Sequence, residues 1–246
     1  MVHKSICVIG KNGFIGSNIV KDLHGTGIDR SGYSNFLKKD FDVVINANGN
    51  SKKYLSLKEP LLDFDLSVRS TLQSILDFKY DLYIYLSSCE VYEDLTKNTL
   101  EESIINTSNI SRYGLSKYMS ECIVKNYCKK WVILRLNGPI GPNMKKGPIY
   151  DLMNNDDLWI SIKSVMQLID IKFISEFISI LIEKNIFNET FNITGTDSIC
   201  LEEVAQLLGS KSKFPDYPII THNIDTNKAN SILKLPKSIK SVNSLI

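Results

Sequence analysis

Tyr113 and Lys117 stand four residues apart in the segment Tyr113-Gly-Leu-Ser-Lys117, so on a helix a phenol and an ammonium share one face and one turn. A neighbouring positive charge stabilises phenolate. It is therefore expected to lower the tyrosine pKa and fit the group for general acid or base work near neutrality. The chain holds 11 tyrosines, enough for about one such pair to arise by chance. Context has to carry the assignment. Upstream, Ser87-Ser88-Cys89-Glu90 follows the apolar run 82–86, at the carboxyl end of a buried strand, the edge at which open α/β sheets bind ligands.

A second constellation is Gly10-Lys-Asn12-Gly13-Phe14-Ile15-Gly16, directly after the β-favouring run Ile6-Cys7-Val8-Ile9 and at the start of a helical pattern. Glycines without Cβ let a pyrophosphate approach the backbone, the helix start offers free N–H groups and a positive dipole end, and Gly16 permits tight helix–strand packing. The order strand, glycine loop, helix reads as a dinucleotide-binding turn. Asp29 lies 19 residues past Gly10 at the end of the next strand, where a carboxylate accepts from an adenosine ribose hydroxyl. Arg30 beside it suits a 2′-phosphate. The cofactor is thus NAD or NADP, with Asp29 tilting the balance to NAD.

These groups need a scaffold. Apolar residues at helical spacing predict helices over 14–23, 66–78, 111–127, 171–183 and 201–208, with a short helical piece at 35–38. The motif Gly25-Thr26-Gly27 ends the first helix, and a very short strand finishes near Ile28-Asp29. Firm strands are expected at 42–45, 82–86, 131–136 and 190–193. Strands alternating with helices predict an α/β fold, a doubly wound Rossmann-like parallel sheet with a small C-terminal substrate-binding lobe. The Gly/Pro-rich segment 137–148 marks where the chain leaves the sheet. The dinucleotide-binding core then covers 1–137, completed by about 166–195, and the lobe covers 138–165 and 196–246.

Composition narrows the partners. With 246 residues and 43% hydrophobic content the chain can build a proper core, and 29 basic against 27 acidic residues leave a net charge of +2. No strong field marks a nucleic-acid or membrane-surface binder. Cys7, Cys89, Cys122, Cys128 and Cys200 form no C-x-x-C pair, as expected of reduced thiols in the cytoplasm. His3, His24 and His222 lie far apart, so no metal site is expected. No signal peptide or membrane span is read from the sequence: 169–182, the longest apolar stretch, is interrupted by Asp170, Lys172 and Glu176.

Taken together, these motifs resemble the extended short-chain dehydrogenase/reductase family, the NAD-dependent epimerases, dehydratases and ketoreductases that act on nucleotide sugars. Gly10-x-x-Gly13-x-x-Gly16 is similar to its glycine motif, Ser87-Ser88-x-x-Val-Tyr92 to its serine/threonine segment, and Tyr113-x-x-x-Lys117 to its catalytic pair. Later landmarks are Leu134-Arg135-Leu136, Gly141-Pro142, Phe191-Asn192-Ile193, Leu201-Glu-Glu-Val-Ala205 and Asp225-Thr-Asn-Lys-Ala229. The resemblance implies Tyr113 as proton donor or acceptor, Lys117 on the nicotinamide ribose, and Ser88 on the reacting oxygen. It also implies a homodimer built through 66–78 and 111–127.

Departures from the pattern shape the reaction. Where sugar 4,6-dehydratases carry an Asp-Glu pair, this chain has Cys89-Glu90, and a thiol replaces that acid poorly. Ser88, Cys89 and Glu90 are the expected substrate contacts. Asn137 falls one position before the family's asparagine, whose place Gly138 takes. Between Asp29 and Asp42 only a dozen residues replace a helix, a strand and an acidic residue beside adenine. A thinly covered adenine favours an exchangeable cofactor and reduction of a 4-keto nucleotide sugar. Two alternatives stand beside it: a nucleotide-sugar epimerase with bound NAD, and a noncatalytic dinucleotide-binding sensor or scaffold.

Overall fold

The computed structural model describes residues 4–97 and 99–246; His3 lies outside them. Leaving out single turns, the chain runs β1 (Ile6–Ile9), α1 (Phe14–Leu23), β2 (Thr26–Ile28), β3 (Asp40–Asn46), α2 (Leu55–Lys58), α3 (Pro60–Phe64), α4 (Ser70–Asp77), β4 (Lys79–Ser88) and α5 (Arg112–Tyr127). It continues through β5 (Trp131–Leu136), β6 (Pro139–Ile140), α6 (Pro148–Asn154), β7 (Val165–Met166), β8 (Ile169–Asp170), α7 (Ile171–Glu183), β9 (Glu189–Ile193), β10 (Ile199–Cys200) and α8 (Leu201–Leu208). Short helices at Asn227–Asn230 and Ser238–Asn243 follow.

Six strands form one sheet in the order β2-β1-β3-β4-β5-β9, every pairing parallel. Its strands are buried on both faces, and the period of two sorts their side chains between two cores. Val43, Ile45, Leu82, Ile84 and Leu134 face α1 and α7, whereas Val44, Tyr83, Tyr85 and Ile133 pack with Ile75 of α4 and Val124 of α5. Helices on both faces of a parallel sheet make this an α/β, Rossmann-like fold. A separate apolar cluster outside the sheet gathers Ile140, Ile149, Leu152, Leu158, Leu168, Ile199, Val204 and Val242.

Most element boundaries agree with the hydrophobic pattern, and the differences have causes. β4 begins three residues earlier than expected because Asp40 and Lys79, polar and exposed, pair at the amino edge of the sheet. Thr26-Gly27-Ile28 does more than end a helix: it pairs with Cys7-Val8-Ile9, while His24 in the left-handed region (φ 50°) closes α1. The helix expected at 66–78 starts instead at Pro60 and passes through a wide turn, Asp65–Arg69, before α4. Pro60 is well placed at a helix start. The pattern hides this start because α3 is inverted, with Leu61 83% exposed and Asp63 2% exposed.

A polar network is sealed inside these layers. Arg135 of β5 and Glu121 of α5 are 2% and 0% exposed, and the guanidinium meets the carboxylate twice, at 3.0 Å from Nε and 2.8 Å from Nη2. Burial works against the Arg135 charge, but the hydrogen bonds and charge of Glu121 outweigh it and hold the pKa above its ordinary value. Ser87 Oγ donates to Glu121 at 2.6 Å, Arg135 Nη1 donates to Tyr92 OH and the Glu101 carbonyl, and Tyr92 OH donates to Asn192. Arg135→Met leaves the Glu121 carboxylate buried and unpaired, so unfolding stability in urea is expected to fall by about 3–5 kcal/mol. The double change Arg135→Met with Glu121→Leu is expected to cost less than the single one.

Candidate active site

The carboxyl ends of β1, β2, β3, β4 and β5 lie along one edge of the sheet, and the chain reverses its winding between β1 and β3. A ligand-binding crevice is expected where the winding reverses. A cavity of about 1250 Å³ opens at that point, lined by Gly10, Asn12, Gly13, Phe14, Ile15, Asp29 and Arg30, and on the β3 side by Ala47, Asn48 and Gly49. Its volume exceeds the roughly 300–1,000 Å³ of typical ligand clefts. Gly10 has a φ of +97°, and a Cβ there would sit 3.0 Å from the Ala47 backbone. Gly16 does not line the cavity; it lies beneath the turn, where a side chain would collide with the Gly10 carbonyl. Gly13 caps α1 with no side chain over the helix start, so the end amides face the cavity uncovered.

Asp29 is held as a carboxylate. The Ser31 hydroxyl, then the Gly32 amide, with Lys11 and Asn12 behind them, keep its pKa well below the usual range. A fixed negative charge at the ribose end suits a free 2′-hydroxyl, and Arg30 on the same cavity wall supplies the opposing preference. Tyr33 lines the same end from the turn Tyr33–Phe36, all that stands between β2 and β3. The residues present fit a nicotinamide dinucleotide: a Cβ-free cradle, an uncapped helix start and a fixed carboxylate just past β2.

Ser88, Tyr113 and Lys117 stand by the carboxyl end of β4 and are not among the residues that line this cavity. Ser111 caps α5 by accepting from the Gly114 amide, which places Tyr113 in the first turn and Lys117 one turn on. Gly114 has no room for a side chain, since a Cβ would strike the Glu90 carbonyl. The helix start is thereby pressed onto the Ser88-Cys89-Glu90 segment. Lys117 is buried; its Nζ donates to the Leu86 carbonyl at 3.3 Å and lies 5.4 Å and 6.0 Å from the Tyr85 and Tyr113 ring centres. A Cβ on Gly49 would stand 3.4 Å from that ammonium, so Lys117 reaches the cavity wall. Ser88 is half-buried and its Oγ accepts from the Glu90 amide.

Two expectations need correction. Lys117 does pull the Tyr113 pKa down, but burial pushes it up and wins, so the phenol lies above its ordinary value and is neutral at pH 7. Cys89, expected among substrate contacts, has its thiol fully buried, donating to the Arg135 carbonyl, and burial raises its pKa. The thiol serves the interior. Glu90 remains half-exposed and pairs with Lys53 at 2.6 Å.

Glu121 and Asp63 are not singled out by the sequence. Glu121 was within reach, because 113, 117 and 121 repeat at one helical turn. Asp63 carried no signal, lying in a helix start that apolar periodicity missed. Asn137 Nδ2 donates to the Gln167 carbonyl and also meets His222 Nδ1 at 3.1 Å. Burial, aided by Lys53, pushes the His222 imidazole down to about 4.

A family profile described as "NAD dependent epimerase/dehydratase family" matches residues 6–155, more than half of the chain. The chain belongs to the NAD-dependent epimerase/dehydratase family. No curated protein sequence matches it. Among solved structures, a UDP-galactose 4-epimerase matches with TM-score 0.80 at 20% identity, over 97% of this chain and 96% of that one. A UDP-glucuronic acid 4-epimerase from Bacillus cereus, in complex with UDP-glucuronic acid and NAD, matches with TM-score 0.77 at 18% identity over 98% and 100%. A dTDP-4-dehydrorhamnose reductase from Bacillus anthracis str. Ames, in complex with NADP, matches with TM-score 0.79 at 15% identity over 98% and 96%. At these identities the likeness is one of fold.

For this epimerase/dehydratase family member the balance at Tyr113 is measurable. Lys117→Met removes the one attraction that lowers the phenol's pKa. The tyrosine titration lost on adding Tyr113→Phe, read by ultraviolet absorbance, is expected to move up by about one pH unit.

Proposed function

We propose that this protein is an NAD(P)-dependent oxidoreductase that reduces the keto group of a 4-keto nucleotide sugar, with Tyr113 as proton donor. The observation that carries this reading is a neutral phenol, held by burial one helical turn from a buried lysine at the wall of the dinucleotide cavity. A donor must hold its proton before it can give it, and a raised pKa keeps it. Lys117 is positioned to meet the charge that develops on the phenol as the proton leaves. Ser88 is the hydroxyl available to the reacting oxygen, and Glu90 is the polar group available to the sugar. Gly10, Asn12, Gly13, Phe14 and Ile15 would cradle the cofactor pyrophosphate, Asp29 and Arg30 its adenosine ribose, and Lys117 its nicotinamide ribose. The cofactor, when bound, supplies the hydride.

The short connection between β2 and β3 supports an exchangeable cofactor, with NAD preferred over NADP through Asp29. The apolar cluster outside the sheet supports reading 138–165 and 196–246 as a substrate-binding lobe on a core of 1–137 and about 166–195. Exposed Leu57, Leu61, Leu62, Phe64 and Leu76 on the 55–77 helices support a homodimer. A sedimentation experiment is expected to give a dimer, and a monomer would contradict it. All five cysteines are free, in keeping with a cytoplasmic enzyme. No helix of the described residues is long and apolar enough to cross a membrane.

The epimerase reading draws on the same cavity and residues, but needs Tyr113 to start as a base. The discriminating experiment is a screen of nucleotide sugars and their 4-keto forms with NADH and NADPH. Nicotinamide absorbance is expected to fall only with a keto form present, and Tyr113→Phe to lower kcat by about a hundredfold or more with NADH binding intact. Protein that carries stoichiometric NAD and interconverts two hexose epimers without added coenzyme would establish the epimerase instead.

A further inference from the structure

α3 turns its apolar side chains outward and its one buried side chain is a carboxylate. Asp63 is 2% exposed. Its Oδ1 accepts from Asn50 Nδ2 at 2.6 Å and its Oδ2 from Ser116 Oγ at 2.6 Å. Asp63 belongs to no ion pair among the described residues. A buried carboxylate without a cation is costly and calls for an explanation.

Its two partners lie on opposite sides of the site. Asn50 ends the stretch 47–50, of which Ala47, Asn48 and Gly49 line the cavity, and Asn50 itself is buried and braced by Ser67 Oγ and by Lys52. Ser116 precedes Lys117 on α5. A Cβ on Gly49, beside Asn50 on the cavity wall, would stand 3.4 Å from the Lys117 ammonium. One carboxylate thus bridges the loop that borders the cofactor cavity and the helix that carries the phenol and the ammonium.

We infer that Asp63 is a positioning residue, which clamps the cavity-lining loop to α5 and sets a buried negative charge against the helix that carries Tyr113 and Lys117. The inference deepens the reading of Tyr113 as the proton-transferring group and rests on it. The titratable groups that act on the phenol are Lys117 on its own helix, Tyr85 of β4, Glu90 after β4, and Asp63. Lys117 favours the phenolate, while Asp63, Glu90 and Tyr85 favour the phenol. Burial is the main cause that keeps the proton on Tyr113, and the Asp63 charge acts in the same direction.

The test separates charge from clamp and needs no substrate. Asp63→Asn keeps the size and both hydrogen bonds, with the amide oxygen accepting from Asn50 and the amide nitrogen donating to Ser116. Removing the charge is expected to lower the Tyr113 titration, measured as the absorbance difference from the matching Tyr113→Phe protein. An unmoved titration overturns the charge role. Ser116→Ala keeps the charge and breaks the clamp; NADH affinity, followed by fluorescence, is expected to fall several-fold with no downward shift of the phenol. Unchanged affinity there overturns the clamp. If the phenol shifts as expected while the sugar screen finds no turnover, the functional reading fails and the place of Asp63 stands.

Discussion

Glu121 and Arg135 are both withdrawn from water, and neither can be left alone there. Their paired hydrogen bonds tie α5 to β5, Ser87 adds the end of β4, and Tyr92 with Asn192 adds the following loop and β9. The residues that converge at the sheet edge hang from this knot: Ser88 is the next residue after Ser87, and Lys117 lies one turn before Glu121. A buried pair of this kind is weak evidence for net stability, because desolvation offsets much of the attraction. It does penalise every arrangement in which the partners separate, so it selects one register of helix against strand.

Burial that fixes geometry also fixes protonation. A lysine one turn from a tyrosine lowers its pKa when both are in water, but here α5 is packed onto the Glu90 backbone through Gly114, and desolvation of the phenolate prevails. The same competition runs the other way at Asp29, where hydroxyl, amide and ammonium donors outweigh the small desolvation and keep the carboxylate ionised. The cavity therefore presents a fixed negative charge at Asp29, while Tyr113, outside its lining, is a neutral phenol.

Much of the fold was legible because its strands and helices obey the simplest rule, apolar side chains toward the core. The strand Trp131–Leu136 and the helices Ile171–Glu183 and Leu201–Leu208 fall where periodicity puts them. Reading failed where the rule is inverted or irrelevant. Lys79 and Asp81 are strand residues held by backbone pairing at an exposed edge, and α3 buries an aspartate while showing leucines to solvent. At the site, residue types and spacing singled out the glycine turn and the Ser88, Tyr113, Lys117 set; Gly10 and Gly13 line the cavity, and the other three do not. Spacing could not say that Cys89 points inward or that burial outweighs Lys117, because both depend on atoms distant in sequence.

The proposed reduction requires Tyr113 to work as a protonated donor. The pH dependence of kcat/KM for reduction of a 4-keto nucleotide sugar tests it most directly. A donor with a raised pKa is fully protonated below that pKa and is lost only as the pH rises through it. The rate is therefore expected to stay level from neutral pH into the alkaline range and to fall only beyond the ordinary tyrosine pKa of about 10. A rate that climbs through neutrality as a group loses its proton would mean that Tyr113 acts as phenolate, and would contradict the account.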